Sequence, residues 1–77
     1  MMNYYEIDEV FRIATIDNMN EEEKISLIRQ KYNITTIIDA TNDIDYYLDP
    51  LIRYRLSLIR QKIDLWVQCG LIPRITR

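Results

Sequence analysis

The chain has 77 residues, enough for one domain whose core is marginal, because folding at this size buries only about 60% of the unfolded surface. It has no histidine and a single cysteine, Cys69, which excludes an intrachain disulfide, a zinc site of four nitrogen and sulfur ligands, and histidine-activated nucleophilic catalysis. Apolar residues make up 48% and charged residues 29%, a globular balance, and the net charge of −2 hides an uneven distribution along the chain.

Residues 1–49 hold eleven acids and four bases, whereas residues 50–77 hold one acid and six bases. Such asymmetry can mark a nucleic-acid-binding tail, but the basic half is rich in apolar residues, so packing of one half on the other is the expectation. No apolar run approaches the ~20 residues a membrane helix needs, and the N-terminus lacks a signal pattern. These readings predict a cytoplasmic protein, or one of a host cytoplasm if viral. Fourteen isoleucines against two alanines suggest an AT-rich genome, of the kind viruses and mobile elements carry.

In chain order, Tyr4, Ile7, Val10, Phe11 and Ala14 recur at helical spacing and predict a helix over residues 3–15. The polar stretch from Thr15 to Asn20 reads as a loop. A second helix over 21–32 opens on Asn20, with Glu23 at capping-box spacing; it buries Ile25, Ile28 and Tyr32, and Asn33 is expected to end it in the left-handed conformation. The segment from Ile34 to Thr41 is β-branched enough for a strand paired with a second chain. Ile34, Ile37, Ile38, Thr41, Ile44 and Leu48, however, share one helical face and favour a third helix over 35–48.

The fourth helix, 50–69, is the most strongly marked, with Asp49 as cap, Pro50 at the first position and Gly70 beyond the last turn. The tail, 70–77, is expected to pack back through Leu71, Ile72 and Ile75. Ser26-Leu27-Ile28-Arg29-Gln30-Lys31 recurs 31 residues later as Ser57-Leu58-Ile59-Arg60-Gln61-Lys62, by duplication or by shared helical composition. The fold class read from these signals is all-α: a small bundle of about four helices, one domain over 1–77, around a long central C-terminal helix.

Helix 50–69 carries two apolar stripes. Ile52, Leu56, Ile59, Ile63, Trp66 and Val67 form one; Leu51, Tyr54, Leu58, Leu65 and Cys69 form the other, with Cys69 taken as a small core residue. Three short helices can hardly cover both. The expected function is therefore a non-enzymatic protein–protein interaction module, an oligomeric inhibitor or adaptor of viral or mobile-element type, using Leu51, Tyr54, Leu58, Leu65 and Trp66. Its partners would be a second copy of the chain, a protein target, or both. The alternative is nucleic-acid binding through Arg53, Arg60, Arg74 and Arg77.

No catalytic residue, cofactor or metal site is expected. Asp39, Asp43, Asp45 and Asp49 lack the glycine and the terminal glutamate of a calcium loop and read as a solvated acidic face. An ion pair between Asp45 and Arg55 is predicted, because each falls on an apolar face where an unpaired charge is costly. Lys62 would then meet acids of the first helix or of a second subunit.

Overall fold

Each helix start carries an asparagine or aspartate that accepts the otherwise orphaned first-turn amides, and those caps set the architecture. The computed structural model describes residues 1–74, and among them the elements are α1 (Tyr4–Ala14), α2 (Glu21–Lys31), α3 (Ile34–Asn42), a 3-10 turn (Ile44–Tyr46) and α4 (Pro50–Gln68). Asn3 and Glu6 form a reciprocal capping box on α1, at 2.9 Å in each direction. Asn20 caps α2 through the Glu23 amide at 2.8 Å, and Asp49 caps α4 through the amides of Leu51 and Ile52. Gly70, at φ +74°, closes α4: its amide donates to Val67 O, and the Leu71 amide donates to Trp66 O.

The fold is the all-α bundle, with α4 at its centre. Ile52, Leu56, Ile59, Ile63 and Trp66 are buried along one face of α4, with Ile7, Val10 and Ala14 of α1, Ile25 and Ile28 of α2, and Ile37 and Ala40 of α3 in the same apolar cluster. Contacts along α1 and α4 advance in step. Tyr4 meets Tyr47 just before α4, Asp8 and Phe11 meet Arg55, and Thr15 shares a hollow with Leu58, Lys62 and Leu65. The two helices therefore start at the same end of the molecule. The 31-residue echo extends to burial: Ile25 and Ile28 are buried on α2, and so are their counterparts Leu56 and Ile59 on α4.

Three expectations are corrected. The third helix does not run to residue 48: it stops at Asn42, tightens into the 3-10 turn and passes into extended chain at Tyr47. Carboxylates at Asp39, Asp43 and Asp45 oppose the negative C-terminal end of a helix, and Pro50 disfavours helical backbone at Asp49. Asn33 lies at φ −78° and caps α3 through the Thr35 amide, rather than ending α2 in a left-handed turn. Cys69, the C-cap of α4, is exposed rather than buried in the core, as are Leu51, Tyr54 and Leu65 of the same stripe. Of the tail, Ile72 is buried and Leu71 partly so, while Ile75 falls outside the described residues.

Candidate functional site

The first α4 stripe fills the core, and this includes Trp66, at 1% exposure. That corrects its assignment to an interface: its indole N–H donates to Glu21 Oε1 at 2.8 Å, so both its apolar body and its polar handle are satisfied inside the fold. The second stripe stays uncovered. Leu51, Tyr54 and Leu65 are exposed, and Leu58 is half-buried beside Thr15 and Lys62.

Met1, Tyr5 and Tyr46, which periodicity did not single out, extend this surface, and so do Tyr4 and Leu48, which it placed on the apolar faces of the first and third helices. Tyr5 is 89% exposed, Tyr46 69% and Leu48 84%, with Met1 and Tyr4 also exposed. Together with Met2, Asn3 and Tyr47 these residues line a groove of about 660 Å³, within the ~300–1,000 Å³ of ligand-holding clefts. Because α1 and α4 start at the same end, Leu51 and Tyr54, in the first turns of α4, belong to that end too. Seven of the eight large apolar side chains exposed among the described residues, all but Leu65, are therefore gathered there.

Local structure explains the gathering. Successive helical residues point about 100° apart, so a Tyr4-Tyr5 doublet cannot bury both rings. In the Tyr46-Tyr47 doublet the chain leaves the 3-10 turn, and Tyr47 alone turns inward. Its hydroxyl donates to Met2 O at 2.9 Å, burial pushes its pKa up, and Tyr46 stacks edge-on against it with ring centres 5.7 Å apart. The two doublets were the available sequence signal. A second hollow, lined by Met1, Met2, Thr36, Asp39, Ala40 and Asp43, shares the Met1-Met2 wall with the tyrosine groove.

The charged candidates are distributed differently from expectation. Asp45 pairs with Arg53 at 3.0 Å, not with Arg55, and its side chain is 92% exposed. The early end of α3 removes Asp45 from any apolar helix face. Arg55 instead meets Asp8 of α1, with Nη1 2.8 Å from Oδ1 though out of line for a hydrogen bond, and lies 5.6 Å from the Phe11 ring centre. Asp8 also accepts from Arg12 at 2.7 Å, and the Arg12 hydrogen bond, followed by the charges of Arg12 and Arg55, holds its carboxyl below the usual range.

Lys62 meets Glu21 of α2 at 3.2 Å, rather than an acid of α1. Glu21 thus gathers Trp66, Lys24 and Lys62, whose hydrogen bonds, that of Trp66 foremost, lower its pKa to about 2. Of the arginines proposed for phosphate contacts, Arg53 is engaged by Asp45, Arg60 by Asp64 and Asn42, Arg74 is exposed, and Arg77 lies outside the described residues. Among the described residues, Arg53, Arg55 and Lys62 of the basic half pair with acids of the first 49 residues.

Among the described residues no helix is long and apolar enough to cross a membrane, and no group of three or more histidine, cysteine or acidic side chains is placed to hold a metal ion. Comparison with protein-family models, with curated proteins and with solved structures gave no match.

Proposed function

We propose that this chain is a non-enzymatic interaction module that docks on another protein surface through the tyrosine-rich end formed by the starts of α1 and α4. One observation carries the reading: seven large apolar side chains, four of them tyrosines, are exposed together at one end while the core closes without them. Scattered apolar residues are ordinary on a protein surface, but a contiguous patch rich in tyrosine is characteristic of contact surfaces. Aromatic rings supply large contact area for little conformational entropy, which is why they dominate binding energetics. The reading keeps Leu51 and Tyr54 from the sequence expectation, moves the centre of the surface towards Tyr4, Tyr5, Tyr46 and Leu48, and drops Trp66. An inhibitor or adaptor role, with a second copy or a foreign protein as partner, fits such a surface.

The test compares the wild-type chain with a double variant, Tyr46→Ser with Leu48→Ser, in sedimentation and in photo-crosslinking within cells. Both side chains are exposed, so circular dichroism should report an unchanged fold. Complexes formed by the wild type, with itself or with another protein, are expected to disappear in the double variant and to persist in Leu65→Ser. Complexes equally abundant in all three chains would overturn the reading.

A further inference from the structure

The tyrosine end is also the acidic end. Residues 1–9 and 43–54, which build it, hold six carboxylates and one guanidinium. Asp8 and Glu9 are neutralised by Arg55 and Lys31, and Asp45 is paired with Arg53. Glu6, Asp43 and Asp49 have no basic partner among the described residues; Glu6 and Asp49 are occupied in capping, and Asp43 is exposed at the mouth of the hollow behind Met1 and Met2. The field this creates is felt inside the patch: after burial, the charge of Asp43 is the next cause raising the pKa of the Tyr47 phenol, and Glu6 adds to it.

Resting on the reading of this end as a docking surface, we infer that its partner is a basic peptide segment of another protein, with an apolar side chain lying in the groove between Tyr4 and Tyr46 and a lysine or arginine reaching Asp43. Three considerations select this occupant. A second copy docked by two-fold symmetry would set the same carboxylates against each other, and like charges juxtaposed across an interface oppose association. A cation gains twice here, from carboxylates and from exposed tyrosine faces, whose quadrupoles attract it. The two hollows, of about 660 and 290 Å³, adjoin across the Met1-Met2 wall, so an apolar side chain and a neighbouring cationic one have separate places.

The experiment titrates the full chain by calorimetry with two end-capped peptides, one alternating arginine with leucine and one alternating glutamate with leucine. The arginine peptide is expected to bind saturably, more weakly as salt is raised, and the glutamate peptide not to bind. Asp43→Asn with Asp45→Asn, and separately Tyr46→Ser with Leu48→Ser, should each weaken binding by about tenfold, roughly the worth of one cation–π or charge contact at a partly desolvated site. The pair Glu22→Gln with Glu23→Gln removes the same charge at the start of α2, far from the groove, and should leave affinity unchanged. Equal weakening by that pair, equal binding of both peptides, or no binding of the arginine peptide would each overturn the inference. A wild-type dimer abolished by Tyr46→Ser with Leu48→Ser, and indifferent to the arginine peptide, would overturn the basic partner while leaving the docking surface itself in place.

Discussion

Two residues show how closely charge and burial are matched. Asp45 was expected in a buried pair, where its removal would cost about 3–5 kcal/mol. Its partner is Arg53 and both are at the surface, so Asp45→Ala should lower stability to urea by less than about 1 kcal/mol. Glu21 is the contrasting case, a half-buried carboxylate gathering an indole and two ammonium groups. Its folded pKa, about 2, lies below the ordinary 4.5, so the protonated form is disfavoured in the native state. The stability this contributes is present above pH 4.5 and is lost as pH falls towards 2. Because Trp66 donates to the same carboxylate, its fluorescence should report the acid transition, and Glu21→Gln should make stability less steep in that window. A transition equally steep in Glu21→Gln would place the acid sensitivity on Asp8 and Glu9, whose pKa values are also lowered.

At the scale of elements, α4 divides its two apolar stripes between core and surface. Leu56 is fully buried and Leu51 about half exposed, so the same truncation should separate them. Leu56→Ala should cost about 2–5 kcal/mol, enough to unfold much of so small a domain, whereas Leu51→Ala should stay within about 0.5 kcal/mol. Thermal melts of the two variants check both values. The C-terminal turn of α4 isolates a backbone effect. An added Cβ at Gly70 meets nothing within 4 Å, so Gly70→Ala carries only the cost of φ +74°, about 1 kcal/mol, with no steric contribution. A larger loss would mean that the turn also positions Ile72 in the core.

For the whole molecule, the accessible surface is 5126 Å², close to the roughly 5,000 Å² that size scaling gives a folded monomer of 9.4 kDa. The single chain therefore closes its own core, and the uncovered stripe is surplus to folding rather than a gap in it. The melting temperature should accordingly be independent of protein concentration over about a hundredfold range. A melting temperature that climbs with concentration would show that a second copy binds the folded chain, because anything that binds only the native state raises its apparent stability. The uneven charge of the sequence finds its explanation at this scale as well: the pairs Asp8–Arg55, Glu21–Lys62 and Asp45–Arg53 each join the acidic half to the basic half.

Sequence alone determined the helical class, the caps at Asn20 and Asp49, the turn at Gly70 and the two apolar stripes of α4, because periodicity and capping are local and each is written within a few consecutive residues. The same locality explains the misplacement of Asn33, whose side chain serves equally well behind one helix or ahead of the next. Only tertiary structure decided which apolar residues remain outside. Trp66 and Leu65 are adjacent and both apolar, yet one is enclosed beside Glu21 and the other is exposed, according to where α1 and α2 lie around α4. The partner of Arg55 depended on the helix beside it, and the tyrosine end on two doublets 42 positions apart being brought together by helices that begin at the same end. A docking surface is a sum over distant segments, and no local pattern carries that sum.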